Sequence, residues 1–173
     1  MLDEKLFFEK AAKIKLFASD VDGVLTKGEI IVLDNGEEIK IWNVKDGFGY
    51  SLLRKHFPEV KTAWITGRKS KQVKKRAREL KIDFLLQDID DKKEALLSIM
   101  KAIKCAACEV VFVGDDLPDI AAFEAAGLSV CPKDAVKCVK NRVDFISHYN
   151  GGEGVIRETA DIIIEAKKEA KNL

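Results

Sequence analysis

The sequence predicts an α/β fold: a doubly wound parallel sheet in three layers (α/β/α), with an inserted β-hairpin flap and no cap domain. Three observations predict it. Apolar runs of strand length alternate with helical stretches along the chain, the pattern of parallel strands joined by right-handed crossovers. Several of those runs end in acidic, Thr-Gly or Gly-Asp clusters, at the carboxyl strand ends where open α/β sheets place their ligands. Finally, two β-rich runs joined by Asn35-Gly36 fall between the first strand and its helix. No repeat, low-complexity segment or linker interrupts the chain, so residues 1–173 are expected to form a single domain with a full-sized core.

Taken in order, residues 1–12 read as a short amphipathic lead-in helix, and residues 14–20 as the first strand, which stops at Asp20-Val21-Asp22-Gly23. The insertion covers about residues 28–43. Asn-Gly between β-rich runs signals a type I′ turn, which needs φ > 0 at both positions. Its isoleucines and Trp42 leave more apolar surface than a lone two-stranded ribbon tolerates, so a second copy of the chain is expected to cover it. Residues 43–49 return the chain to the sheet, and Asp46 is expected to cap a helix running to about residue 56. The second strand spans residues 60–65 and leads through Thr66-Gly67-Arg68 into a basic helix at 70–80. The third, at 82–86, ends at Gln87-Asp88 and precedes a helix at 91–104. The fourth, at 110–113, ends in Gly114-Asp115-Asp116-Leu117-Pro118-Asp119, followed by a short helix to residue 126. The fifth, at 128–131, leads to a helix near 134–140, and the sixth covers 144–147. A glycine-rich break at 150–154 comes before a final helix at about 155–170, whose lysine-rich end suits its dipole.

Composition narrows the partners. Thirty basic residues against 29 acidic leave a net charge of +1, which argues against nucleic acid. No apolar run approaches the roughly 20 residues needed to cross a bilayer, and the first fifteen residues lack a signal-type apolar segment. A cytoplasmic protein is expected, with no membrane partner. The four cysteines agree: Cys105-x-x-Cys108 lacks a second such pair, so free thiols are expected rather than zinc.

Chemistry collects at the strand ends. Asp20 and Asp22 are two apart, so both project from one face of the strand tip. Like charges that close are costly unless a cation joins them, and paired carboxylates suit Mg²⁺. A lone Asp-x-Asp is weak; four polar strand ends meeting on one rim are not. Asp20 is the candidate nucleophile on phosphorus, and Asp22 the candidate acid and base for the leaving oxygen and the water. Asp115 with Asp20 is the candidate Mg²⁺ site. The Thr66 hydroxyl and the Gly67 N–H suit phosphate oxygens, Lys92 supplies a cation beside Asp20, and Asp116 is expected to orient Lys92 or a metal-bound water.

The order DVDGVLT, ITGR, DK, GDDLPD resembles the haloacid dehalogenase superfamily of phosphatases, with all four motifs present. The NGEE hairpin, NVKDGFG, SKQVKKRAREL, GDDLPDIAAFEAAGLSV and GGEGVIRE resemble more closely its capless, tetrameric branch, typified by 3-deoxy-D-manno-octulosonate 8-phosphate phosphatase. That resemblance implies an Mg²⁺-dependent phosphomonoesterase that makes the lipopolysaccharide inner-core sugar through an aspartyl-phosphate. It also implies a homotetramer with hairpins at the interface. Mg²⁺ would be held by Asp20, Asp115 and the backbone carbonyl of Asp22. Asn43, Val44, Lys45, Asp46, Gly47, Arg68 and Arg76 would contact the phosphorylated sugar acid, some across a subunit boundary. Arg68 suits a substrate carboxylate, where relatives acting on nine-carbon sugars can carry Glu. Two alternatives stand beside this reading: a nine-carbon keto sugar acid 9-phosphate as substrate, and a non-catalytic oligomerising module. Ser51, where some members have arginine, Asp88, where glycine is common, and a slightly long segment at 54–59 depart from the branch pattern.

Overall fold

The strand at the centre of the sheet is the first one, and every residue of it is buried. The computed structural model describes residues 4–171; residues 1–3 of the expected lead-in helix lie outside that range. The elements are α1 (Glu4–Ala11), β1 (Leu16–Ser19), β2 (Ile31–Val32), β3 (Glu38–Ile39), α2 (Val44–His56), β4 (Lys61–Thr66), α3 (Lys71–Glu79) and β5 (Phe84–Gln87). They continue with α4 (Lys92–Ile103), β6 (Val110–Val113), α5 (Ile120–Ala125), β7 (Leu128–Cys131), α6 (Lys137–Lys140), β8 (Phe145–Ile146) and α7 (Val155–Lys171).

Six strands pair in the order β5-β4-β1-β6-β7-β8, all parallel, with β2 and β3 forming a separate antiparallel ribbon. The order reverses direction at β1, so the crevice between β1 and β6 is the topological switch point, where such sheets bind ligands. Side chains alternate across β1. Phe17 joins the core under α1, α2, α3 and α7, built from Tyr50, Leu53, Trp64, Val73, Val111 and Ile156. Leu16 and Ala18 join the opposite core under α4, α5 and α6, with Ile65, Leu96, Phe112 and Val139. Both faces are covered, giving the three expected layers.

Both outer strands begin one or two residues later than their apolar runs suggest, and for the same reason. Asp83 accepts the Thr62 N–H (2.9 Å) and hydroxyl (2.8 Å), and Asp144 accepts the Ser129 N–H (2.9 Å) and hydroxyl (3.0 Å). In each case a carboxylate takes the place of the first rung of the ladder.

The hairpin ladder is shorter than its β-rich runs, and its turn is not type I′. Gly36 alone has positive φ there (+80°). The Gly36 N–H reaches the Leu33 carbonyl at 2.8 Å and the Leu33 N–H reaches Glu37 at 2.8 Å, a three-residue loop with one left-handed position. Another correction concerns Asp46. The cap of α2 is Asn43, whose side chain accepts the Lys45 N–H at 2.8 Å and donates to the Gly152 carbonyl at 3.0 Å. Asp46 is buried in the first turn and accepts the Arg157 N–H at 3.1 Å, clipping α2 to the start of α7. Its second oxygen has no partner. Burial pushes this carboxyl up to about 6, against the N–H groups of Arg157, Ile156 and Gly154.

A raised carboxyl favours folding most while protonated, so its contribution is full below about pH 4 and is lost as pH rises through about 6. Asp46→Asn keeps an acceptor without the buried charge. Urea unfolding should show the variant gaining about 1–2 kcal/mol on wild type between pH 5 and pH 8; a pH-independent difference would show that Asp46 is not buried as a charge.

Candidate active site

Asp20 follows directly on β1, and its N–H bonds the Val113 carbonyl at 2.9 Å, extending the ladder to the end of β6. The Val21 N–H donates to Asp20 Oδ1 at 2.6 Å. That leaves Oδ2 facing Lys92 Nζ at 2.9 Å. Lys92 is the first residue of α4, behind the cap Asp91, and its side chain is only 4% exposed. It donates at 2.6 Å to Asp119 Oδ1, while Asp119 Oδ2 accepts the N–H groups of Asp115 (2.9 Å) and Asp116 (3.2 Å). Asp119 is fully buried. Gly114 makes this possible, since a Cβ there would overlap the Asp119 side chain. Gly23 (φ +86°) does the same for Asp115, whose carboxylate fills the space a Cβ would take.

Burial sets the charges. It pushes the Asp20 carboxyl up to about 6, with Lys92 opposing. Asp115 is pushed further, to about 8, by burial first and then by Asp20 and Asp119. Burial also works against the Lys92 ammonium, but the two carboxylates beside it outweigh that and keep its pKa above the ordinary lysine value. Asp20, Asp115 and Asp119 each offer an oxygen within 4.8 Å of the others. Asp119 spends both oxygens on Lys92 and backbone, whereas Asp115 Oδ1 is buried without a partner. An uncompensated carboxylate beside a second one suits a hard divalent cation, and Asp20 and Asp115 are the residues free to hold it.

Asp20, Asp22, Thr66, Gly67, Arg68, Lys92, Asp115 and Asp116 line one cleft of about 480 Å³. Thr66 is the last residue of β4 and is buried, its hydroxyl oxygen accepting the Arg68 N–H at 3.4 Å. Asp116 lies on the rim and accepts the Leu117 N–H at 2.7 Å, capping a short 3₁₀ turn. Of the two roles expected for Asp116, orienting Lys92 is corrected, because Asp119 makes that contact. A carboxylate four residues past Asp115, beyond Pro118, was the signal, since that turn folds it back under the strand end. Asn43, Val44, Lys45, Asp46, Gly47 and Arg76 do not line this cleft. Lys45 lines a larger one of about 590 Å³ beside α1 and α7, and Val44 and Arg76 line another near Trp42. Volume does not choose the site; the converging carboxylates and lysine do.

Two further residues come from the hairpin. Lys40, its side chain 4% exposed, pairs with Asp22, and Glu38 pairs with Arg68. Sequence reasoning treated this ribbon as oligomer surface. Strand alternation was the available clue, because Glu38 and Lys40 share one face and Ile39 and Ile41 the other.

A haloacid dehalogenase-like hydrolase family model matches residues 82–158. The chain is 40% identical over 158 residues to the 3-deoxy-D-manno-octulosonate 8-phosphate phosphatase of Salmonella typhi, covering 91% of this chain and 83% of that protein. The corresponding phosphatase of Moraxella catarrhalis, solved with magnesium, phosphate and the free sugar acid, superposes with a TM-score of 0.92 at 35% identity, over 98% of this chain and 97% of that one. The cobalt-bound form of the enzyme from Haemophilus influenzae gives a TM-score of 0.88 at 35% identity, covering 93% of each chain.

Asp119→Asn should lower kcat for phosphate release about 100-fold, near 3 kcal/mol, because the buried lysine loses one of the two carboxylates that hold it in place. Asp116→Ala should cost under about threefold. Comparable losses in the two variants would return the orienting role to Asp116.

Proposed function

The chain belongs to the haloacid dehalogenase-like hydrolases, among relatives that are 3-deoxy-D-manno-octulosonate 8-phosphate phosphatases, and on that footing we propose that it hydrolyses this ester to the free keto acid and phosphate. The observation that carries the proposal is the buried Lys92, shared between Asp20 and Asp119 at a strand tip that also carries an unpartnered Asp115 carboxylate.

In this reading Asp20 attacks phosphorus, and the bond from phosphorus to the sugar oxygen breaks. Its electron pair leaves with that oxygen, which takes a proton from Asp22, leaving an acyl phosphate on Asp20. Asp22 then removes a proton from water; the water oxygen bonds phosphorus, and the bond to Asp20 breaks. The Thr66 hydroxyl, the Gly67 N–H and the Lys92 ammonium hold the phosphoryl oxygens meanwhile. Asp20, Asp115 and the Asp22 carbonyl would hold Mg²⁺, which when bound offsets the negative charge of phosphate and carboxylates. Arg68 reads the substrate carboxylate. The product is destined for lipopolysaccharide precursors, in the cytoplasm.

Oligomerisation belongs to the same proposal. Ile30, Val32 and Ile41 on the ribbon are 63%, 58% and 64% exposed, and Val44 and Phe48 on α2 are 80% and 52% exposed. We propose that a homotetramer covers them, bringing Lys45 or Arg76 of one subunit toward the cleft of another.

Asp20→Asn should reduce phosphate release at least about 10⁴-fold without changing the sedimentation coefficient. Chelation with EDTA should abolish wild-type turnover, and added Mg²⁺ should restore it; turnover that survives chelation would remove the metal from the reaction. kcat/KM on eight-carbon and nine-carbon keto acid phosphates tests the substrate, and a preference for the nine-carbon ester would overturn the assignment. A monomer at micromolar concentration would end the tetramer proposal.

A further inference from the structure

The hairpin presents two charged side chains to the cleft of its own chain. Glu38 opens β3 and Lys40 lies just past its end, two residues on along the same extended stretch, which puts the two on one face. Lys40 pairs with Asp22 and Glu38 with Arg68, so the hairpin engages two groups that the substrate has to use. The two contacts differ in environment. The Lys40 side chain is 4% exposed, while Arg68 and Glu38 are 38% and 28% exposed. The strand is also held independently of the Glu38 carboxylate, by Gln72 Nε2 donating to the Glu38 backbone carbonyl at 2.8 Å. Glu38 can therefore swing its side chain off Arg68 while β3 stays in place.

A glutamate carboxylate on a guanidinium is chemically the same partner as the carboxylate of a keto acid. Among the described residues, Glu38 is the only acidic side chain paired with Arg68. Resting on the reading that Arg68 binds the substrate carboxylate, we propose that Glu38 is a specificity-determining residue: an internal competitor that occupies Arg68 until a substrate carboxylate displaces it. A phosphate ester without a carboxylate gains nothing from displacing Glu38, whereas a keto acid phosphate exchanges one ion pair for another. The internal carboxylate weakens binding of the keto acid and leaves Arg68 paired between turnovers.

The test compares wild type with Glu38→Gln on two substrates, a keto sugar acid phosphate and a sugar phosphate of similar length without a carboxylate. The ratio of their kcat/KM values should rise about two- to fivefold in the variant, the range an exposed ion pair of this kind can impose. The rise should appear in KM more than in kcat, and the inhibition constant of the free keto acid should fall by the same factor. Glu38→Asp, which keeps the charge, should return the ratio toward wild type. In an Arg68→Ala background Glu38→Gln should add nothing. An unchanged or lower ratio in Glu38→Gln, with Arg68→Ala still lowering it, overturns the competition alone. Arg68→Ala leaving the ratio untouched overturns both the competition and the carboxylate reading of Arg68. Circular dichroism and sedimentation of each variant separate these results from misfolding.

Discussion

One lysine, buried where lysines rarely go, sets the terms for everything around it. Lys92 lies out of water between Asp20 and Asp119, and removing either carboxylate would leave the buried ammonium one partner where it has two. The arrangement requires that β1, β6 and the start of α4 end at one place, which the parallel sheet supplies. It also requires room. Gly114 makes space for Asp119, and Gly23 lets the Asp115 carboxylate approach the loop after β1. These glycines serve the electrostatics of the cleft.

Around that centre, buried polar contacts tie the sheet to its coverings. Ser19, one residue before Asp20, meets the Tyr50 hydroxyl at 3.2 Å, and Tyr50 accepts from Trp64 Nε1 at 2.9 Å. Trp64 stacks on Trp42 at the base of the hairpin, with ring centroids 5.9 Å apart. The tip of β1, helix α2, strand β4 and the hairpin root are therefore linked side by side. This linkage explains how a ribbon of two short strands holds Lys40 and Glu38 over the cleft, although such a ribbon alone is marginal in water.

The sheet and most of the cleft could be read from residue order because local signals agree with the global fold. Apolar runs located all six sheet strands, and polar residues at their ends located the rim. Asp88, expected to alter the turn before Lys92, adopts φ +64°, the left-handed region that glycine favours and that aspartate tolerates better than most residues. The misreadings have a common origin. Asp46 looked like a cap, and Asp116 like the partner of Lys92, because both types suit those roles locally. Which carboxylate met which N–H or ammonium depended on α7, far away in sequence but packed against α2, and on the turn through Pro118, which folds back on itself.

Amino-acid order alone determined the alternation of strands and helices, the side to which each strand end points, and the collection of acids, hydroxyl and lysine there. These follow from period-two and period-3.6 patterning and from the handedness of crossovers, which act over a few residues at a time. Only the tertiary structure decided which acid is buried against Lys92, which is left without a partner, and that the hairpin turns a charged face into its own cleft. Those outcomes depend on desolvation and on contacts a few ångströms long between residues far apart in the chain, and a sequence pattern carries no distances.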